Sequence, residues 1–247
     1  YLCRFKTAPL SLSHFRPKLS VTGFVAKLGT ANFFNQIAMM IVQIVMNKSL
    51  TYYGSQSVYG ESIPLACAGI ITKVGMVFFS ICIGLSQGMQ PIVSFNYGAG
   101  NYKKVKQAYR LAAGIGTIIS VIAFFAFQIF PRQLIGIFGS SQNEAYYTFA
   151  VRYFRIYMFF TFLNAIQPIS SNFFTAIGKP GKGIFLSLTR QIIFLLPLIV
   201  IFPLFLGVDG IMYAGPIADF IAAMVSMILI YKEFGKINKL EEATCES

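Results

Sequence analysis

The sequence is poor in the side chains that carry out most enzyme chemistry. Its 247 residues include one histidine, four cysteines and eight acidic residues, against twenty lysines and arginines. The histidine, His14, lies in a basic segment near the start of the sequence, and no two cysteines form a CxxC pair. This inventory leaves no Ser–His–Asp or Cys–His arrangement, no metal-ligand cluster and no disulfide framework. We therefore expect a protein that is not an enzyme and that holds no cofactor or metal.

Charge is also scarce, and long apolar stretches take its place. Only 11% of the residues are charged and 56% are hydrophobic, whereas about a quarter of the residues in a soluble domain are charged. A helix of about 20 apolar residues spans a bilayer, and an open strand would leave its backbone groups unpaired in lipid. The composition therefore predicts an all-α integral membrane protein.

Six apolar segments are separated by turns rich in glycine, serine and asparagine, such as NYGAGN and FGSSQN. Clusters of this kind end one helix and begin the next. We expect a bundle of six transmembrane helices, at about residues 21–50, 62–94, 104–130, 144–177, 183–206 and 210–234. Residues 1–20 and 235–247 would lie outside the bundle as tails.

Positive charge is distributed unevenly between the loops. Lysines and arginines cluster before the first segment and after the second, fourth and sixth. The alternate loops carry only Lys48 and Arg132, beside Glu61, Glu144 and Asp209. Because lysine and arginine collect on the cytoplasmic side of a membrane protein, both termini are predicted to be cytoplasmic. The net charge of +12 thus indicates topology, and nucleic-acid binding is not expected.

Three segments carry polar side chains along one helical face, at the spacing of about 100° per residue that a helix imposes. Polar groups inside a membrane either line a pathway or hydrogen-bond neighbouring helices. Three long stripes, with adaptable methionines among the amides, favour a cavity. The predicted cavity residues are Asn32, Gln36, Met39, Gln43 and Asn47 in the first segment, Lys73, Met76, Ser80 and Gln87 in the second, and Tyr157, Thr161, Asn164 and Gln167 in the fourth.

Lys73 is the only basic residue placed deep on one of these stripes. It either lines the cavity or snorkels to the outer interface, since it lies only a few turns from Glu61. We favour the first interpretation, because Lys73 shares a helical face with Met76, Ser80 and Gln87.

Residues 84–102, which follow the pattern GxxQGxQPIxxFNYGAGNY, resemble the signature of bacterial multidrug and toxic compound extrusion (MATE) transporters. In that family the signature closes the eighth of twelve helices and forms the next cytoplasmic turn. Two further stretches are similar to the family in the expected order. Residues 172–198 are similar to the connection between its tenth and eleventh helices, and residues 207–222 are similar to the beginning of its twelfth.

The resemblance implies that this chain is one lobe of a two-lobe transporter, helices seven to twelve, and that an N-terminal six-helix lobe is missing. Residues 1–20 would be the end of the cytoplasmic linker between the lobes. The implied activity is the export of cationic amphipathic compounds in exchange for H+ or Na+, by rocking of the lobes in the bacterial cytoplasmic membrane. Two alternatives are a flippase for a lipid-linked glycan, which needs a strongly basic cavity, and a membrane structural subunit, which needs no connected polar stripe.

The signature itself is predicted to set helix geometry and not to bind a ligand. A proline near the helix end removes a backbone donor, and glycines allow a sharp turn before the next helix. The glycines lack the spacing of a phosphate-binding P-loop, and no strand precedes them. The residues of this cytoplasmic turn are Gln90, Pro91, Asn96, Tyr97, Gly98, Gly100 and Asn101.

Arg190 and Asp219 lie at similar depths in two consecutive antiparallel segments, roughly 12 Å from the cytoplasmic end. We expect a structural ion pair, because pairing relieves the cost of two buried charges; the alternative is that Asp219 is a ligand for the coupling ion. Some members of the family carry coupling carboxylates on the seventh and tenth helices, but the first and fourth segments here have none in the membrane. The resemblance therefore implies a coupling site in the missing N-terminal lobe.

Overall fold

The computed structural model describes residues 19–138 and 144–245, and all regular structure in these ranges is helical. Three long helices come first: α1 at Leu19–Ser55, α2 at Ser62–Gly98 and α3 at Tyr102–Ile129. The remaining helices are α4 at Pro131–Phe138, α5 at Glu144–Tyr157, α6 at Ile166–Ala176, α7 at Pro180–Leu188, α8 at Leu196–Leu206 and α9 at Val208–Cys245. A 3-10 turn at Thr161–Leu163 precedes α6, and a π-helical segment at Thr189–Leu195 joins α7 to α8.

Four stretches of the described chain are long and apolar enough to cross a membrane, namely Ser62–Gly98, Tyr102–Ile129, Pro180–Leu206 and Val208–Glu242. Helix α1 and the broken stretch formed by α5 and α6 complete the six segments of the bundle. The protein is thus an all-α, multi-pass membrane protein, as its composition predicts. The predicted tail at residues 1–20 lies outside the described residues except for the first residues of α1.

Two of the predicted segments depart from a regular α-helix. Residues 144–177 form α5, the 3-10 turn and α6, so the prediction of one continuous helix there is corrected. Pro168 lies in the first turn of α6 and cannot donate to the carbonyl of Asn164. In the fifth segment, the π-helical stretch comes directly before Pro197, which cannot donate to Ile193. Both departures thus lie beside a proline, the commonest cause of a helix break.

Two helical stretches were not predicted. The short helix α4 begins at Pro131, and proline suits the first position of a helix because its missing N–H has no partner there anyway. Helix α9 continues to Cys245 and does not end at residue 234. Lys106 of α3 holds this extension, because its ammonium lies 2.6 Å from a carboxylate oxygen of Glu241 and donates to Asn238 at 2.8 Å. The predicted tail is therefore helical as far as residue 245, and its residues 235–241 pack against the bundle.

Helix α6 is central to the packing, where it meets α2, α7 and α9. Its residues Phe173 and Phe174 are fully buried, and the ring of Tyr109 on α3 lies 5.0 Å from that of Phe173. The hydroxyl of Tyr109 is 2.9 Å from that of Ser170, so the buried phenol has a hydrogen-bond partner. This aromatic core fixes the orientation of the surrounding helices and therefore decides which of their faces are exposed.

Candidate functional site

Two neighbouring helices expose very different surfaces. On α3, every exposed residue between positions 111 and 129 is apolar or glycine. On α2, the exposed residues include Lys73, Met76, Ser80 and Gln87, which we call the α2 polar face. Polar side chains are costly against lipid. The α2 polar face is therefore a candidate for a surface that meets water, a ligand or another part of a protein.

The hydrogen-bonding capacity of the α2 polar face is only partly used within the lobe. Ser80 donates its hydroxyl to the carbonyl of Met76, 2.8 Å away and one turn earlier. Lys73 forms no ion pair or hydrogen bond with the residues that the structure describes. The side chain of Met76 is 62% exposed. The face therefore offers a free cation beside a large, soft apolar group.

Helix α1, which packs against α2, carries the first of the predicted stripes. Gln36 and Met39 are exposed, whereas Gln43 and Asn47 are half-buried. The amide of Gln43 donates to Asn47 Oδ1 at 3.1 Å, so these two side chains satisfy each other along the helix. The side chain of Asn32 lies outside the described part. Beyond Asn47, the ends of α1 and α2 form a groove of about 420 Å³ lined by Asn47, Lys48, Thr51, Tyr52, Ser55 and Glu61.

The predicted stripe on the fourth segment is divided in the structure. Tyr157 and Gln167 are half-buried, but Thr161 and Asn164 are buried inside the lobe. Thr161 donates its hydroxyl to the carbonyl of Met158 at 2.7 Å. The break between α5 and α6 turns this part of the chain inward, so the structure does not present Thr161 and Asn164 on an open surface. For these two residues the geometry differs from the predicted cavity lining.

Asn164 instead joins a buried charged network with Arg190 and Asp219. The ion pair expected from the sequence is formed in the structure: Arg190 Nε lies 2.6 Å from Asp219 Oδ1. The amide of Asn164 donates to the other oxygen, Asp219 Oδ2, at 2.9 Å. Arg190 lies on the π-helical segment, and its guanidinium carbon is 5.0 Å from the ring centre of Phe79 on α2. The network thus connects α2, the 3-10 turn region, the π-helical segment and α9.

A close helix contact supports this network. An added Cβ at Gly215 of α9 would lie 2.4 Å from a ring carbon of Tyr157. No side chain fits at such a distance, so only glycine lets α9 approach α5 this closely. Neither Phe79 nor Gly215 was predicted as a site residue. The glycine could have been noticed as a small residue in an apolar helix, but its partner could not.

The turn between α2 and α3, which the sequence predicts to be cytoplasmic, is built from local contacts. Gly100 has φ +73, a left-handed conformation that suits glycine, whereas Gly98 is the last residue of α2. The amide of Asn96 donates to the carbonyl of Ile92 at 2.8 Å, and the backbone N–H of Asn101 donates to the carbonyl of Asn96 at 2.8 Å. These contacts are the ones needed to end α2 and begin α3 within a few residues.

The other residues of the turn motif lie on either side of this reversal. Pro91 is exposed within α2, Gln90 is half-buried, and the rings of Tyr97 and Tyr102 lie 5.8 Å apart. Nearby, Ser94 donates its hydroxyl to the carbonyl of Ala176 at the end of α6, at 3.0 Å. The motif therefore connects three helix ends.

Glu233 is a buried charge that the sequence reasoning missed. Its side chain is 1% exposed and forms ion pairs with Lys179 and Lys182, the latter at 2.5 Å. The ammonium of Lys182 also lies 5.3 Å from the ring centre of Phe174. The signal was the GKPGK turn after the fourth segment, since an acid at the end of the sixth segment lies on the same side of the bundle.

In the ranges that the structure describes, no three His, Cys, Asp or Glu side chains come close enough together to hold a metal ion. Both carboxylate oxygens of Asp219 are bonded, one to Arg190 and one to Asn164. Glu233 is likewise held between two lysines. These two buried carboxylates are thus engaged by neighbouring side chains.

Sequence comparisons connect the chain with known transporters. The model of the MatE family matches residues 31–201. Multidrug export protein MepA from Staphylococcus saprophyticus is 26% identical over 224 residues, which cover 90% of this chain and 47% of that protein. The MepA protein from Staphylococcus aureus is 24% identical over 218 residues, covering 87% of this chain and 46% of that protein. The chain spans about half the length of these curated relatives.

Solved structures show the same fold. The outward-facing conformation of a multidrug resistance MATE family transporter of the MOP superfamily aligns with a TM-score of 0.80 at 19% identity, over 93% of this chain and 50% of that chain. A MOP superfamily transporter from Pyrococcus furiosus, described by the reverse polarity of its binding pocket, aligns with a TM-score of 0.83 at 18% identity. That alignment covers 96% of this chain and 52% of the other. The fold is thus one lobe of a MATE-type architecture.

Proposed function

Because the chain belongs to the MatE family, we propose that it forms one six-helix lobe of a multidrug efflux antiporter. It would work together with an N-terminal six-helix lobe, and the two lobes would rock between outward-open and inward-open states around a shared cavity. The exported compounds would be small, cationic and amphipathic. The relatives named as multidrug export proteins support this proposal, since they match over most of the chain.

The observation that supports it best is the α2 polar face. A free lysine, a serine, a glutamine and a large methionine are exposed together on a helix that is apolar enough to span a membrane. Lipid would penalise such a face, whereas an aqueous cavity between two lobes would hydrate it. Adaptable methionines and amides also suit a pocket that accepts varied ligands.

The coupling ion would be H+ or Na+, bound in the N-terminal lobe. Antiport requires a group that binds and releases the ion, and a membrane carboxylate is the usual choice. Asp219 is a poor candidate, because Arg190 and Asn164 engage both of its oxygens. The acid that binds the coupling ion is therefore expected elsewhere than in the buried network of this lobe.

The proposed location is the bacterial cytoplasmic membrane, with both termini on the cytoplasmic side. Exposed lysines at the beginning of α3 and near the end of α9 lie at the same end of the bundle, since Lys106 and Glu241 pair there. Such a concentration of positive charge is typical of cytoplasmic ends. Labelling of a cysteine placed at Lys239 in intact and in permeabilised cells would test this orientation.

Transport can be tested with the transporter that joins this lobe to an N-terminal one, reconstituted in liposomes. We expect ethidium, a small aromatic cation, to move against its concentration gradient when a gradient of H+ or of Na+ is imposed. Absence of ethidium movement under both gradients, in protein that is folded and inserted, would reject the proposed function.

A pair of matched variants separates the two exposed faces. Gln36→Ala with Gln87→Ala should lower ethidium transport several-fold, because both side chains lie on the polar faces of α1 and α2. Ile118→Ala with Ile122→Ala on the exposed face of α3 should leave it within about twofold. An equal loss in both double variants would show that the polar faces have no special role.

A further inference from the structure

A groove at one end of the bundle, which we call the arginine groove, is formed by the last residue of α3 together with α4 and α5. It lies at the end of α3 opposite to the turn between α2 and α3, and its volume is about 610 Å³. Its lining includes three arginines, Arg132, Arg152 and Arg155, and in the described part of the chain a single acidic residue, Glu144. The arginine groove therefore carries a net positive charge.

The positive charge of the arginine groove is weakly neutralised within the lobe. Arg132 pairs with Glu144 at 3.1 Å, and Arg152 pairs with Asp209 at 2.9 Å, but all four side chains are more than one third exposed. Exposed ion pairs of this kind contribute only about 0–1 kcal/mol, so another anion can replace the carboxylate. The exposed guanidinium of Arg155 forms no ion pair or hydrogen bond with the residues that the structure describes. Arg155 is therefore a free cation at the groove.

The depth of these arginines matches the surface of a membrane. The exposed residues of α3 at positions 111–129 are apolar or glycine and extend over about 28 Å, close to the roughly 30 Å of a hydrocarbon core. Gln128, near the end of this stretch, donates its amide to the carbonyl of Arg155 at 3.0 Å. Arg155 thus lies at the boundary of the hydrocarbon, where its long side chain can extend to the headgroups. Arg152 lies three residues earlier in α5, about 4.5 Å nearer to the aqueous side.

An apolar surface begins where the arginine groove ends. Ile129 lines the groove and is itself exposed. Phe125 and Ile122, one and two turns earlier in α3, are exposed as well, and spacings of three and four residues place the three side chains on one helical face. We call these three residues the α3 apolar stripe. A cationic groove at the membrane surface thus continues into an apolar stripe that leads towards the membrane centre, which is the order of headgroup and acyl chain in a phospholipid.

We propose that the arginine groove is a binding site for an anionic phospholipid. The guanidinium of Arg155 binds the phosphate, because its planar fork of N–H donors matches phosphate oxygens. Arg132 and Arg152 exchange their exposed carboxylate partners for oxygens of the headgroup, and an acyl chain lies along the α3 apolar stripe. The net positive charge favours a headgroup without a cation of its own. In the proposed orientation the lipid belongs to the outer leaflet, and the site is separate from the α2 polar face.

A fluorescent reporter inside the groove tests the proposal. The chain has no tryptophan, and Tyr147→Trp introduces one in the groove lining, where the guanidinium of Arg132 lies 5.1 Å from the ring centre of Tyr147. The transporter that joins this lobe to an N-terminal one, with any tryptophan of that lobe replaced, is reconstituted in phosphatidylcholine vesicles. Phosphatidylglycerol or phosphatidylcholine with brominated acyl chains is then added in increasing proportion, and bromine quenches the reporter only in contact. We expect the groove to prefer phosphatidylglycerol about tenfold, which corresponds to about 1.4 kcal/mol.

Variants of the free arginine and of a matched lysine complete the design. Arg155→Gln in the reporter protein should reduce the preference for phosphatidylglycerol to about twofold or less, whereas Arg155→Lys keeps the charge and should retain part of it. Lys48→Gln removes an exposed positive charge from α1 at the same end of the bundle and should leave the preference unchanged. Arg132→Gln gives a second loss of charge at a side chain that is 63% exposed, in case Arg155→Gln does not fold. Val151→Trp gives a second reporter position in the same groove.

Soluble phosphates separate a lipid site from a site for free phosphate. Inorganic phosphate and glycerophosphoglycerol, which has the headgroup of phosphatidylglycerol without its acyl chains, are added in millimolar amounts to both sides of the vesicles. Neither should restore the quenched fluorescence, because the acyl chain on the α3 apolar stripe contributes to binding. Full recovery with either compound would assign the groove to a soluble phosphate and overturn the lipid site.

Three other results would overturn the proposal. Equal quenching by the two brominated lipids in the reporter protein would mean that the groove does not distinguish headgroups. An unchanged preference in Arg155→Gln and Arg132→Gln would mean that the arginines do not bind the phosphate. An equal loss of preference in Lys48→Gln would attribute it to the total charge of this end of the bundle. Quenching does not depend on transport, so these results leave the proposed function to its own test.

Discussion

Helices α2 and α3 follow each other in sequence and are joined by a turn of three residues, yet only α2 exposes polar and charged side chains in its central part. The exposed residues of α3 between positions 111 and 129 are all apolar or glycine. The exposed residues of α2 include Lys73, Ser80 and Gln87. The most apolar windows of the two helices nevertheless have the same mean hydropathy.

The difference shows that average hydropathy identifies a membrane helix but not its environment. Twice the share of residues is buried in the α2 window, 44% against 22% in α3, so α2 uses its apolar residues to pack inside the lobe. Its exposed face carries Lys73, Ser80 and Gln87 among apolar side chains such as Val77 and Ile81. Helix α3 packs through fewer residues and exposes its apolar side chains, as expected of a surface that meets lipid. The environment of a membrane helix is therefore read from its exposed residues.

The largest effect is expected from the charges that lie behind the α2 polar face. Asp219→Asn leaves Arg190 as an unpaired buried charge, which should destabilise the folded state by about 3–5 kcal/mol. Arg190 also packs against Phe79 of α2. Its displacement should therefore disturb the packing of α2 and reduce the difference in exposed residues between α2 and α3. Thermal unfolding in detergent measures the first effect.

The matched control is the exposed ion pair of Arg132 and Glu144, whose side chains are 63% and 82% exposed. Arg132→Gln should cost only about 0–1 kcal/mol. Combining Asp219→Asn with Arg190→Gln should recover part of the lost stability. A double-mutant cycle without any coupling energy would show that the buried pair does not stabilise the lobe.

The second prediction places a new charge on each face at the middle of its helix. Ile118→Lys on α3 should cost about 2.5–3.5 kcal/mol, because the charge would face lipid at the centre of the membrane. Ser80→Lys on α2 should cost much less, since the cavity proposed between the two lobes would hydrate its surroundings. The folded fraction after extraction, measured by size-exclusion chromatography, compares the two. Equal losses would mean that both faces meet lipid.

The third prediction concerns the turn that joins α2 to α3 and so fixes which way each helix faces. Gly100→Ala forces a side chain into the left-handed conformation, at a cost of about 1–2 kcal/mol. Gly98→Ala places alanine at a helical position with open space around it, and should be neutral or slightly stabilising. Chemical unfolding distinguishes them. Substrate affinity should be unchanged in both, and a tenfold loss would mean that the turn contacts substrate.

The smallest effect is a difference in chemical reactivity. Single cysteines at Gln36 and Gln87 should react about tenfold faster with a membrane-impermeant thiol reagent than cysteines at Ile118 and Ile122, a difference of about 1.4 kcal/mol in barrier. Cysteine at Gln43 should react at an intermediate rate, because that position is half-buried. Bound ethidium should slow the reaction at the two exposed glutamine positions. The four native cysteines must be replaced first. Similar reaction rates on α2 and α3 would show that both faces have the same access to water.

The class of the fold follows from composition, because a chain of this hydropathy has few stable alternatives in lipid. The pairing of Arg190 with Asp219 was also predictable, since equal depth in consecutive antiparallel segments brings two charges together. The break between α5 and α6 was not predictable from Pro168 alone, because prolines within membrane helices are tolerated when neighbours satisfy the freed carbonyl. Pro91 lies inside α2 without ending it.

In the candidate site, too, the residues on a regular helix were predictable and those on the broken segment were not. Periodicity placed Lys73, Met76, Ser80 and Gln87 on one face correctly, because α2 is long and regular. Periodicity did not predict that Thr161 and Asn164 are buried. The chain forms a 3-10 turn there, so successive residues no longer rotate by the 100° of an α-helix. The engagement of Asn164 by Asp219 depends on a contact across 55 positions of sequence. The same is true of Glu233, whose lysine partners lie more than 50 positions away.

The buried ion pair also bears on how the chain enters the membrane. A lysine, arginine or aspartate at the centre of a single inserting helix costs about 2.5–3.5 kcal/mol, so the segments with Arg190 and Asp219 each enter lipid at a disadvantage alone. Only Gly207 separates the end of α8 from the beginning of α9. A hairpin this tight lets the translocation machinery release both segments together, with the two charges already neutralised. We therefore expect a chain that stops after Leu206 to insert its last segment poorly, and glycosylation mapping would measure this. The final helix, α9, would thus assist the membrane insertion of the segment before it.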